Sequence, residues 1–244
     1  MANKILLLVE GERKDVALME RMFEVYLPDK KKEIVPYKTN IYELYGELTK
    51  DYGEEGEFTD LLMVLREREK DKAKKKIFDE YYSDVILVFD FDPHDGSYSA
   101  DKLQKMIAFF DNSTENGRLY VNYPMVESFC HIKSWEETPD EYNLRQTTRE
   151  VLRAKQYKTI VNNESCCTDI RKYEKKEFDR IILLNLTKVL FLLGREGEAY
   201  DCSAPILEQV LRRACQRWEQ EGLVDVLSTC ILYVYEFYPR KVAV

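Results

Sequence analysis

Two uninterrupted apolar runs, each stopped by a carboxylate, set what this chain can fold into. Lys4 to Val9 is apolar after its first residue and stops at Glu10-Gly11, and the run from Val85 to Phe89 stops at Asp90-Phe91-Asp92. A strand without polar alternation is covered on both faces, as in parallel sheets. Between the two runs, Val16, Met19, Met22, Phe23 and Tyr26 share one helical face that Pro28 closes. A second strand is expected over Lys32–Lys38, then helical segments over Ile41–Lys50 and Thr59–Lys70, separated by an acidic, glycine-containing turn at Tyr52–Glu57. Arg66–Lys76 is nearly all charged with alternating signs, which suits a solvated helix better than a nucleic-acid contact.

Strand and helix continue to alternate, with a helix over Asp101–Phe110 and a strand over Arg118–Asn122. That alternation predicts an α/β fold: a mainly parallel sheet flanked by helices over residues 1–135. The remainder reads as helical at Thr138–Lys158, Lys176–Leu193, Pro205–Glu221 and Leu223–Tyr238, and is expected to form a helical C-terminal lobe over residues 136–244. Apolar faces on that lobe (Leu207, Val210, Leu211 and Ala214; Ile231, Val234 and Tyr235) either pack on each other or dock on another subunit.

Composition narrows the class. The chain of 244 residues is 45% apolar and 34% charged, an ordinary balance for a soluble protein. No segment reaches the ~18 uncharged apolar residues of a membrane helix; the most apolar, Ile181–Leu193, is interrupted by Asn185 and Lys188. The opening residues lack a small-residue cleavage site and read as a first strand. Six cysteines without metal-ligand spacing are expected to be reduced thiols in a cytoplasmic protein. Two histidines, His94 and His131, argue against a zinc centre. The net charge of −8 excludes a protein that coats nucleic acid by charge alone. It leaves room for an enzyme that meets a phosphate through a bound cation.

Parallel α/β sheets place their functional groups at the carboxyl ends of strands. Glu10 stands at one such end, and Asp90 and Asp92 at another, two residues apart and so on one face of an extended chain. If those strands are neighbours, three carboxylates converge, and they repel one another unless a hard cation such as Mg²⁺ or Mn²⁺ joins them. Taken singly, Glu10 could be a strand-end or helix-start acid, and the two aspartates could be turn residues ahead of Pro93. Asp15 suits the first turn of the helix, and Asp95 is either a further ligand or part of an Asp-Gly turn. Lys188 either stabilises charge on a metal-bound phosphate or snorkels to the surface, the commoner case. Arg145, Arg149, Arg153 and Lys158 recur at about helical spacing, as a substrate-guiding stripe or, more ordinarily, a wet face.

Val9-Glu10-Gly11-Glu12 before a helix, and Val88-Phe89-Asp90-Phe91-Asp92 about eighty residues later, resemble the TOPRIM superfamily of topoisomerases, bacterial primases, ribonuclease M5 and OLD-type nucleases. The resemblance covers about residues 3 to 130. Asn122-Tyr-Pro-Met-Val-Glu127 is similar to the Asn-Pro-x-x-Glu segment of the OLD- and RloB-like branch, although Tyr123 separates Asn and Pro. The resemblance implies a Mg²⁺- or Mn²⁺-dependent nuclease with Glu10, Asp90 and Asp92 as ligands, joined by Asp95 or Glu127. Glu127 is equally well placed as a helix-start acid after Pro124.

Stand-alone members of that branch include antiphage effectors acting beside an ATPase, among them the tRNA-cutting toxin of the PARIS system. The resemblance therefore implies an RNA or DNA substrate, and an ATPase or a second copy as partner. Two other readings stay open: a non-catalytic interaction protein with a vestigial site, and a housekeeping RNA-maturation nuclease. The chain has no Gly-x-x-x-x-Gly-Lys-Ser/Thr phosphate loop, so it is not itself expected to be an ATPase.

Overall fold

The computed structural model describes residues 4–50, 58–203 and 205–243; the Tyr52–Glu57 turn lies outside them. The first strand, β1 (Lys4–Val9), is buried along its length and is followed by α1 (Lys14–Tyr26), which turns Leu18, Met19, Met22, Phe23 and Tyr26 inward. Next come β2 (Lys31–Pro36), α2 (Ile41–Thr49), α3 (Leu61–Arg68) and α4 (Lys72–Lys75). The acidic strand is β3 (Asp84–Asp90), followed by α5 (Ala100–Phe109), the short β4 (Asp111–Asn112) and β5 (Gly117–Asn122). Side-chain caps start several helices: Asn40 accepts from Glu43 N–H at 3.0 Å and Ser99 from Lys102 N–H at 3.3 Å.

The five strands form one sheet in the order β2-β1-β3-β5-β4. All pairings are parallel except β4 with β5, and β1 and β3 are direct neighbours, with Val9 opposite Val88. The β1–α1–β2 and β3–α5–β5 connections run toward opposite edges of the sheet, and the general right-handed rule for such crossovers assigns their helices to opposite faces. Helix α9 (Lys175–Leu192) packs against α1, and α10 (Ile206–Glu221) packs against α5. No helix among the described residues is long and apolar enough to cross a membrane.

Two long helices expected in the second half are interrupted. In place of one helix over Thr138–Lys158 there are α6 (Pro139–Asn143), the strand β6 (Gln146–Thr148), α7 (Arg149–Arg153) and, after a turn, α8 (Tyr157–Glu164). The β-branched pair Thr147-Thr148 favours the strand. Thr148 then caps α7 by accepting from Val151 N–H at 3.4 Å, and Lys155, at φ 55°, ends it. The segment from Leu223 begins as a strand, β7 (Leu223–Asp225), paired antiparallel with β6. Gly222 permits this: it closes α10 at φ 70°, a left-handed conformation that glycine adopts at little cost. Helix α11 (Leu232–Phe237) comes only after an extended stretch that binds the main sheet. There Tyr123 and Leu227 exchange backbone bonds of 2.8 and 2.9 Å, and Thr229 Oγ1 donates to Val121 O at 2.8 Å.

The apolar faces expected on the C-terminal helices are consumed within the chain. Leu207, Val210, Leu211, Ala214, Ile231 and Val234 are all buried, and Tyr235 packs partly buried against them.

Candidate metal centre at the strand ends

The strand order fixes where a site can form. From β1 the chain moves to β2 on one side, and from β3 to β5 on the other, so the connections diverge between β1 and β3. The carboxyl ends of the strands at such a switch point open a crevice. Glu10 and Asp90 stand there. Glu10 N–H donates to Val88 O at 3.0 Å, continuing the ladder one residue past β1, and Asp90 N–H donates to Glu10 Oε2 at 3.0 Å.

Asp92 reaches the same place by a different route from the one the spacing implied. The strand ends at Asp90, and Asp92 has φ 33°, a conformation rarely taken by a residue with a side chain. The bend is held from several sides. Phe91 is fully buried, its N–H donates to Asn122 O at 3.0 Å, and its carbonyl accepts from Tyr42 Oη at 2.7 Å. Asp92 N–H donates to Pro124 O at 3.2 Å. One carboxylate oxygen from each of Glu10, Asp90 and Asp92 then lies within 4.8 Å of the others.

These residues line a recess of about 690 Å³ with Asp15, Glu127, Lys14, Lys158 and His94. Asp15 sits in the first turn of α1, as its position suggested, and is also buried toward the cluster. Gly11 makes room for it: a Cβ there would lie 2.3 Å from Asp15 Oδ2. Glu127 is 5% exposed at the rim, where its Oε1 meets Lys158 Nζ at 3.3 Å and Lys14 Nζ at 3.9 Å.

Burial dominates the electrostatics. It pushes the Glu10 carboxyl up to about 8, with Asp92 and Asp15 adding repulsion and the Asp90 amide opposing the rise. Asp90 is held well above the ordinary carboxylate range by burial and then by Glu10 and Asp92. Asp15 and Asp92 are raised for the same first cause. Burial works against the charge of Lys158, but Glu127, Asp90 and Asp92 outweigh it and raise its pKa. The donor set fits a divalent cation: Asp15 Oδ1, Asp90 Oδ1, Asp92 Oδ1 and Glu127 Oε2 are all shielded from water and without a hydrogen-bond partner among the described residues. Shielded carboxylate oxygens of this kind are costly unless a cation joins them.

Two residues singled out in the sequence lie away from the recess. Lys188 is fully buried in α9, where its Nζ donates to the carbonyls of Tyr142, at 3.1 Å, and Arg145. It neither reaches a phosphate nor snorkels, because the break between α6 and β6 presents carbonyls that need a donor. Asp95 serves its own turn, accepting from Ser97 N–H at 2.7 Å and Asn40 Nδ2 at 3.2 Å.

The basic stripe also divides. Arg145 pairs with Glu137, and Arg149 lies 4.6 Å from the centre of the Trp218 ring. Arg153 is exposed, and Lys158 turns into the recess. The spacing offered Lys158 only as one of four on a single helical stripe, because the turn at Lys155 that separates it from the others was not legible, whereas Asp15, five positions past Glu10 on the first helical turn, carried a readable signal. No family model, curated protein or solved structure matches this chain.

Proposed function

We propose that this chain is a metal-dependent phosphodiesterase that hydrolyses nucleic acid, with its site on a TOPRIM-like core. The observation that carries the reading is the convergence of Glu10, Asp90 and Asp92 within 4.8 Å at the β1–β3 switch point. Glu10, Asp90 and Asp92 hold Mg²⁺ or Mn²⁺, with Asp15 and Glu127 completing the negative wall. A cation bound there supplies Lewis-acid polarisation of a phosphoryl oxygen and a more acidic water.

The chain's own residues do the rest. The Asp90 amide orients Glu10. Lys158, more than half exposed at its side chain, and Lys14 offer positive charge at the mouth to an incoming phosphate. Glu127, paired to both, keeps these lysines from collapsing onto the ligand carboxylates. The TOPRIM resemblance extends the reading to a toxic effector of antiphage defence that cuts tRNA.

The test is incubation of the purified protein with Mg²⁺ or Mn²⁺ and, in parallel, plasmid, single-stranded DNA, total tRNA and rRNA. Cleavage of at least one substrate that needs the metal and is lost in Asp90→Asn is expected. Cleavage by Asp90→Asn at saturating Mg²⁺ places the chemistry elsewhere. No stoichiometric Mn²⁺ binding and no cleavage of any of the four supports the interaction-protein alternative with its vestigial site.

A further inference from the structure

The charged run Arg66–Lys76 does not form the single solvated helix that its sequence suggests. It divides between the end of α3 and α4, which a link at Glu69–Asp71 separates. Arg66 pairs with Asp79 at 2.7 Å and Arg68 with Glu47 at 2.6 Å. Glu69 accepts from Asp71 N–H and Asp71 from Ala73 N–H, each at 2.8 Å. These pairings use up the arginines and two of the acids. Lys70 and Lys74 are left over, exposed and without an ion pair among the described residues.

Both lysines line a second recess, of about 760 Å³, walled by residues of the edge strand β2 and of α3 and α4. It adjoins the metal recess, since Glu12 lines both. The join is built at the carboxyl end of the sheet, where Tyr37 N–H donates to Val9 O at 2.7 Å and Lys38 N–H to Glu10 O at 2.9 Å. Lys38 Nζ meets Glu12 Oε1 at 2.5 Å. Lys38, then Arg13 and Lys74, hold the Glu12 carboxyl below its ordinary range, so the acid at the join stands among cations from both recesses. The other acids of the second recess are engaged: Glu33 pairs with Lys4 at 3.1 Å, and Glu69 holds the Asp71 amide. The unpaired charge there is therefore positive, in a chain of net charge −8. A positively charged groove that tracks the backbone is how single strands are held without sequence preference.

We infer that a single nucleic-acid strand runs from the metal centre across the Glu12–Lys38 pair into this second recess, where Lys70 and Lys74 neutralise its phosphates. This rests on the nucleic-acid reading above and adds the route by which the strand leaves the site.

The experiment is fluorescence anisotropy of a labelled single-stranded oligonucleotide on the full chain, with Ca²⁺ present, across a range of salt. Lys70→Ala/Lys74→Ala is compared with Lys72→Ala/Lys76→Ala, which removes the same charge from exposed lysines of the run that do not line the recess. The first pair should lower the slope of log affinity against log salt by about 1.4, at about 0.7 for each lost contact, and the second pair by less than about half of that. Mn²⁺ affinity by calorimetry should stay within about twofold in both, since neither pair lines the metal recess. Equal changes in the two pairs, or no change in the first, overturn the route and leave the nucleic-acid reading standing. An oligoglutamate peptide bound more tightly than the oligonucleotide, with the same loss in Lys70→Ala/Lys74→Ala, assigns the recess to an acidic protein instead. Failure of wild type to bind the oligonucleotide overturns both the route and the reading beneath it.

Discussion

The backbone N–H of Asp90 donates to Glu10 Oε2 across 3.0 Å, so the acid at the end of β1 is oriented by the last residue of β3. This bond welds the two strand ends at the switch point and stabilises the ionised form of Glu10 against its burial. The bond engages Oε2, and it holds the Glu10 carboxylate where one of its oxygens lies within 4.8 Å of an oxygen of Asp90 and of Asp92.

Neutralising either acid should therefore remove metal binding without harming the fold. Glu10→Gln keeps an acceptor for the Asp90 amide, and both Glu10→Gln and Asp90→Asn relieve repulsion between buried carboxyls. Metal-free melting temperatures are expected to stay level or rise by up to about 4 °C, equivalent to ~1 kcal/mol in a chain of this size. Wild type should gain about 2.7 kcal/mol from Mn²⁺ at a hundredfold excess over Kd, and both variants should gain nothing. Scanning calorimetry with and without EDTA checks this, and an undiminished Mn²⁺ gain in Asp90→Asn would relocate the centre.

The parallel sheet and its two acidic strand ends were legible because burial on both faces writes itself into the sequence as unbroken runs at Lys4–Val9 and Asp84–Asp90. The path of Asp92 was not, since its φ of 33° is imposed by Tyr42, Asn122 and Pro124, which are distant in sequence. The strand pair β6–β7 was hidden for a like reason. Three-residue strands carry too few side chains to show a period, and their pairing depends on a chain reversal some seventy residues away. Lys188 misled because an isolated cation on an apolar helix gives no sign of whether phosphate or buried carbonyls await it.

Gly11 and Asp15 should prove coupled. A Cβ at position 11 would meet Asp15 Oδ2 at 2.3 Å, so Gly11→Ala must drive a buried carboxylate out of place. Overpacking of this kind costs about 1–3 kcal/mol. Asp15→Ala removes the obstructing oxygen, and the double variant should recover most of that loss. Urea unfolding of the four proteins gives the coupling energy directly. Additive effects would show that Gly11 is present for some other contact.

Arg13, Lys14, Lys155 and Lys158 supply positive charge to the recess wall in an otherwise acidic chain. If they meet phosphates, alanine at Lys155 and Lys158 should lower the slope of log affinity against log salt. The decrease is expected to be about 0.7–0.9 per lost contact. Fluorescence anisotropy on a labelled oligonucleotide, with Ca²⁺ supplied in place of Mg²⁺, measures the slope. An unchanged slope would mean that the substrate approaches over a different face.

The buried amine of Lys188 should leave a mark on stability as pH changes. Burial drives its pKa down to about 7, Asp225 partly opposes the shift, and Arg145 and Arg217 reinforce it. Its surroundings bring Asp225 on β7, Arg217 on α10, and Arg145 and Glu137 from the α6 region to bear on one ammonium. In the unfolded chain the amine keeps its ordinary pKa near 10.4. Between pH 7 and that value the unfolded state binds more protons than the folded state, so this residue makes stability rise with pH. Below pH 7 both states are protonated and the burial penalty is fully present. The slope approaches about 1.4 kcal/mol per pH unit once the folded amine is neutral. Lys188→Met removes the slope and also leaves the Tyr142 and Arg145 carbonyls without their donor, a loss that is the same at every pH. Chemical unfolding at pH 7 and pH 9 should show wild type gaining on Lys188→Met by on the order of 2 kcal/mol across that interval. Parallel pH profiles for the two proteins would mean that Lys188 keeps an ordinary pKa in the folded state, with its charge satisfied by Asp225 and Glu137.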